Sequence, residues 1–134
     1  MDSSQRRADA QRRAELAAAS AQAEALAAQR VIDEFVRTAR AVGLRTEPLQ
    51  ATLLDGRRVK TPLVGWYLNA SRTLAITPEG SYYQLVMPGS VLARFTGVTP
   101  AAAQPVLEVG RGGRDGETGP LSDFLARTLE TYRS

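Results

Sequence analysis

Residues 31–61 read VIDEFVRTARAVGLRTEPLQATLLDGRRVKT, and the hydrophobic period changes in the middle of the run. Up to Val42 the apolar side chains Ile32, Phe35, Ala39 and Val42 recur at intervals of three and four, with Val31 and Val36 beside them. That is the spacing of one helix face. Past Gly43 the period falls to two. Leu49–Leu54 leads into Asp55-Gly56, a hairpin-type turn, and Arg57–Thr61 reads as the return strand. Gly43 is placed as the residue just beyond a helix end, where a left-handed conformation is needed. The stretch therefore predicts a helix that stops at Gly43 and feeds antiparallel strands.

N-terminal to this switch, residues 4–42 contain no Gly and no Pro and are rich in Ala, Arg, Gln, Glu and Leu. These are strong helix formers. With Ser3 or Ser4 as the cap, the run predicts one helix of about 39 residues, roughly 58 Å long. Length of this kind suggests a coiled coil or another form of helix pairing. A heptad seam runs through Ala14, Ala18, Ala21, Ala25 and Ala28 and continues as Ile32, Phe35, Ala39 and Val42. The alanine part permits close approach of a second helix but buries little area per residue. Two readings stay open: a pairing surface, for self-association or a partner's helix, or a solvated arm held by propensity and Arg/Glu pairs. The division expected is an Ala/Arg-rich helical extension over 1–30 and a small α+β domain over 31–134.

C-terminal to the switch, Pro62 interrupts or re-aims the return strand. Leu63–Asn69, Thr73–Thr77 and Ser81–Met87 alternate as further strands, joined by short turns. Val91–Phe95 is ambiguous between strand and helical turn, Thr99–Pro105 reads as a loop or single turn, and Val106–Val109 reads as a last strand. Pro120 is placed as the first residue of a terminal helix, whose apolar stripe is Leu121, Phe124, Leu125, Leu129 and Tyr132. The fold class expected is α+β: a long N-terminal helix, an antiparallel meander of about four to six strands, and a C-terminal helix.

Composition narrows the chemistry. The chain has neither Cys nor His, so no thiolate or imidazole metal site and no conventional Ser-His or Cys-His nucleophile can be assembled. A Ser/Lys pair would have to use Lys60, on an exposed strand. Asp115 and Glu117 could pair as carboxylates only from a loop, which positions acids poorly. The expectation is a non-enzyme with no metal and no cofactor. Asp9, Glu15 and Glu24 interrupt the small-residue string near the N-terminus, so no signal peptide and no membrane segment are expected, and the expected location is cytoplasmic. The 17 basic and 14 acidic residues nearly balance, which weakens any nucleic-acid reading built on charge alone. A single Lys among so many Arg and Ala matches the usage of a GC-rich bacterial genome, and lowers the weight of each arginine cluster.

The remaining candidate sites come in three groups. Residues 110–120, GRGGRDGETGP, lie between a strand and a helix. They lack the Lys of a Walker loop, and Asp115 stands where Gly-x-Gly-x-x-Gly needs its third glycine. Arg111, Gly112, Gly113 and Arg114 can still attract an anion to a helix N-terminus, although a solvated loop is the commoner outcome for such a stretch. Arg57, Arg58 and Lys60 flank the hairpin turn and either contact phosphate or guard a strand edge. On the period-two reading Trp66 and Tyr83 face inward, while Tyr67 and Tyr82 face outward as a partner surface. Together these features predict a non-catalytic interaction or adaptor protein that self-associates or docks through its N-terminal helix. The alternative is a small nucleic-acid- or nucleotide-binding module using Arg57, Arg58, Lys60 and the Arg111/Arg114 loop.

Overall fold

Asp2, ahead of both serines, caps the first helix: its carboxylate accepts the Gln5 N–H at 2.8 Å. Aspartate caps as well as serine, and its charge also suits the positive helix end, so the cap lies one residue before the expected position. This is the first feature of a computed structural model that describes residues 2–89, 96–110 and 117–133. Helix α1 runs Ser3–Ala41, 39 residues without a break. It ends as the sequence requires. Gly43 takes φ 67°, its N–H donates to the Arg40 carbonyl at 3.2 Å, and the Leu44 N–H donates to the Ala39 carbonyl at 2.9 Å. This paired arrangement satisfies two carbonyls that the last turn leaves open.

Strands β1 (Glu47–Leu53) and β2 (Arg58–Tyr67) form the expected hairpin across Asp55-Gly56, with Gln50 opposite Lys60 and Ala51 opposite Val59. The register slips between Pro48 and Gln50, opposite Pro62. Proline has no N–H for the ladder, and the Thr61 hydroxyl fills the gap. It donates to the Leu49 carbonyl at 2.7 Å and accepts the Leu63 N–H at 3.1 Å. Strand β3 (Leu74–Ile76) pairs antiparallel with the far end of β2, and β4 (Tyr82–Gln84) pairs antiparallel with β3. Gly65 lies where β2 and β3 come closest, and a Cβ there would collide with the Ile76 carbonyl oxygen.

The meander departs from expectation at β5 (Val86–Met87), which pairs parallel with β1. The sheet is therefore mixed, in the order β4-β3-β2-β1-β5. Only Leu85 separates β4 from β5. Its N–H donates to the Thr73 carbonyl at 2.7 Å, and its carbonyl accepts the Thr52 N–H at 2.7 Å. One fully buried residue thus joins the β3 side to the β1 side, and the sheet curls back on itself. Its inner side holds Leu49, Tyr67, Ala75 and Leu85.

The other side meets the helices. A short pair, β6 (Glu108–Val109) and β7 (Gly119–Pro120), precedes α2 (Leu121–Arg133). Pro120 thus ends a strand instead of opening the helix, because its neighbour Gly119 pairs with Val109. From Ala28 onward α1 buries Ile32, Phe35, Val36 and Ala39, and α2 buries Leu121, Phe124 and Leu125. Both pack on Trp66, Ile76 and Tyr82. Phe35 meets Trp66 edge to face at 5.5 Å, and the Trp66 indole N–H donates to the Arg45 carbonyl at 2.9 Å. Burying Ile32 and Phe35 is worth about 1.5–3 kcal/mol each.

Candidate functional site

Two regions present unclaimed chemistry. The first is the N-terminal part of α1. Polar ties to the body begin at Glu24, whose carboxylate accepts the Leu107 N–H at 3.1 Å, and continue with Gln29 donating to the Gly80 carbonyl at 2.8 Å. Ahead of Glu24, nearly every helical residue is exposed. The expected alanine seam divides here. Ala14, Ala18 and Ala21 are open, Ala25 is half-buried, and Ala28 lies in the core at 0 % exposure. Ala28 is therefore not available to another chain, because the seam is continuous with the face that the body itself covers. Val42, the end of the seam, lies past the helix and is exposed.

Roughly opposite that face, Leu16, Ala19, Ala23 and Leu26 follow spacings of three, four and three. The two leucines are 67 % and 58 % exposed. Sequence reading centred on alanine passed over them, although two leucines ten residues apart on one face were a visible signal. Arg12 and Asp9 precede the leucines on this side, and Arg30 and Asp33 follow them. Arg12 and Asp9 lie 3.6 Å apart, an exposed pair that contributes little by itself.

The second region is a groove of about 720 Å³ between the β2–β3 turn and α2. Asn69 organises the turn: its side-chain oxygen accepts the Thr73 and Leu74 N–H groups, and its amide donates to the Thr73 hydroxyl at 2.7 Å. Glu117 braces the same turn. Its two oxygens accept the Ser71 N–H at 3.0 Å, the Ser71 hydroxyl at 2.6 Å and the Asn69 amide at 2.9 Å. Arg72 closes the turn at φ 60°, the one non-glycine residue with positive φ among those described. Its guanidinium lies 5.6 Å from the centre of the Tyr67 ring. Across the groove, Arg127 lies 4.5 Å over the Phe124 ring.

The floor of the groove is a polar chain at the end of β2. The Tyr132 hydroxyl accepts the Tyr67 N–H at 2.9 Å and donates to Glu47 at 2.5 Å. Burial, and then the hydrogen bond to the Glu47 carboxylate, push the Tyr132 pKa well above its ordinary value. The Thr128 hydroxyl adds a bond to the Tyr67 carbonyl at 3.3 Å.

The outward tyrosine surface is corrected by burial. Tyr82 is 2 % exposed and Tyr67 9 %. Tyr67, Ala75 and Tyr83 share the inner side of the curled sheet, while Trp66, Ile76 and Tyr82 share the helix side. Alternation holds along each strand. What the sequence reading lacked was that both sides are covered, with the β3–β4 register placing Tyr82 beside Ile76. A base-stacking platform on Tyr67 and Tyr82 is thereby lost. Arg57, Arg58 and Lys60 do lie exposed on the hairpin, with Arg57 3.7 Å from Asp55. The Arg111, Gly112, Gly113 and Arg114 loop, with Asp115 and the run Val91–Phe95, lies outside the described residues.

Among the described residues, no helix is long and apolar enough to cross a membrane, and no group of three or more acidic side chains is placed to hold a metal ion. No protein-family model, curated protein or solved structure matches the chain.

Proposed function

We propose that this chain is a non-catalytic interaction protein whose helical arm, residues 3–26, pairs with the arm of a second copy. The observation that carries this reading is the pair of exposed leucines, Leu16 and Leu26, on one face of a helix whose polar ties to the described body begin only at Glu24. A partner along the leucine face would cover both side chains.

The leucine face is symmetric about Ala21, which suits a second copy in antiparallel orientation. Turned about a point near Ala21, Leu16 meets the partner's Leu26 and Ala19 meets the partner's Ala23. Arg12 then lies opposite the partner's Arg30 and Asp9 opposite the partner's Asp33, with the opposite charges one turn further along. The described body packs mainly against the other face of the helix, through Ile32, Phe35, Val36 and Ala39.

Magnitudes make the assembly weak. Burying two leucines from each chain yields about 6–12 kcal/mol, against an association cost of about 4–15 kcal/mol. A dilution series followed by light scattering tests the reading. A dimer that dissociates at around micromolar concentration or above, and that disappears in Leu16→Glu with Leu26→Glu while the body stays folded, is the expected result. A constant monomer mass at every concentration removes self-association.

A further inference from the structure

We infer that the groove between the β2–β3 turn and α2 is a binding site for a small ligand carrying a carboxylate or phosphate group, held between Arg72 and Arg127. Three independent features point there. The first is conformational. Arg72 occupies a left-handed position, where a side chain costs roughly 1–2 kcal/mol and glycine costs nothing. Backbone strain of this kind concentrates at ligand sites, which singles out this arginine.

The second is orientation. Arg72 and Arg127 line the same groove, and each lies over an aromatic ring, Tyr67 and Phe124 respectively. A ring beneath a guanidinium fixes its plane and leaves its N–H edges free to grip an anion through two parallel bonds. Among the described residues, Arg72 makes no ion pair or hydrogen bond through its side chain, and Arg127 makes only a long bond, 3.4 Å, to the Asp123 carbonyl.

The third concerns the two acids on the same wall. Glu117 has both oxygens committed to Asn69 and Ser71, and Glu47 accepts a hydrogen bond from the Tyr132 hydroxyl. Among the described residues the carboxylates are hydrogen-bonded inside the fold while the guanidinium N–H groups are almost entirely uncommitted, and those donors suit an anion. The groove's volume falls in the range of small-molecule sites, and Tyr67, Leu68 and Phe124 offer apolar wall for the rest of the ligand.

The probes are phenyl phosphate and benzoate, titrated into the full chain and followed by amide NMR shifts. Saturable shifts at Arg72, Tyr67 and Thr131 are expected with at least one probe, and the tighter of the two identifies the anion. Arg72→Gly should weaken binding about tenfold or more with an unchanged or higher thermal midpoint, a combination that a structural role for Arg72 would not give. Arg127→Gln should weaken binding similarly. The proposal is overturned if neither probe shifts these amides, if the shifts map to Arg57, Arg58 and Lys60 instead, or if both arginine variants bind as well as the parent chain.

Discussion

Tyr132 shows how much one hydroxyl can hold. It accepts the last free N–H of β2, donates to Glu47 on β1, and belongs to α2. Tyr132→Phe strands the Tyr67 N–H and leaves Glu47 without its donor, so a loss of about 1–3 kcal/mol is expected from denaturant unfolding. The raised pKa has a definite sign. A tyrosine whose folded pKa exceeds its unfolded value near 10.0 contributes stability that is complete below about pH 10 and lost as pH climbs toward the folded value. Tyr82 is shifted upward too, by burial. Unfolding midpoints measured from about pH 9 to pH 12 should therefore fall through the alkaline range, with a shallower fall in Tyr132→Phe. An equal slope in that variant would assign the effect elsewhere. Gly65→Ala is the opposite case, a methyl group added where the Ile76 carbonyl leaves no room. The strands must separate locally, and a loss of about 2 kcal/mol or more is expected on thermal unfolding.

The elements divide cleanly by how far each is decided locally. Helix α1 was legible almost to the residue, because Gly-free, Pro-free sequence and a terminal glycine act through neighbours three and four positions away. The β1–β2 hairpin was legible for the same reason, with Asp55-Gly56 setting the turn. Pro62 was readable as an interruption, but not the repair by the Thr61 hydroxyl. Thr61→Val, nearly the same shape without the donor, should cost about 1–2 kcal/mol in the same unfolding measurement; no change would mean that water replaces it. The parallel pairing of β5 with β1 joins residues more than thirty positions apart, and no local pattern specifies it; the burial of Tyr82 likewise depends on the distant helix α1 packing on that side of the sheet. The groove was illegible for a further reason. Its parts, Glu47, Arg72, Glu117, Arg127 and Tyr132, are scattered along the chain; Tyr132 reads as part of a helix's apolar stripe, Glu117 as a loop acid and the others as surface charges until the β2–β3 turn meets α2.

In the molecule as a whole, α1 has two unlike halves on one continuous helix. The half that packs is fixed by Ile32, Phe35 and Trp66, and the half ahead of Glu24 is held by propensity, the Asp2 cap and local side-chain pairs. Helix content should report this. Ala18→Gly together with Ala19→Gly, each costing about 1 kcal/mol of helix propensity, should lower helical circular dichroism at low protein concentration and leave the body's thermal midpoint unchanged. A falling midpoint would mean that the arm and the body are energetically coupled. The single-residue passage at Leu85 has a consequence of another kind, for solubility. An open sheet ends in two rows of unpaired N–H and C=O groups, which invite strands from other molecules and seed aggregates. Here the chain steps from one edge to the other within one residue, while Ala103 bridges to Tyr82 on the outermost strand. Much of the backbone that would recruit a foreign strand is already engaged by its own.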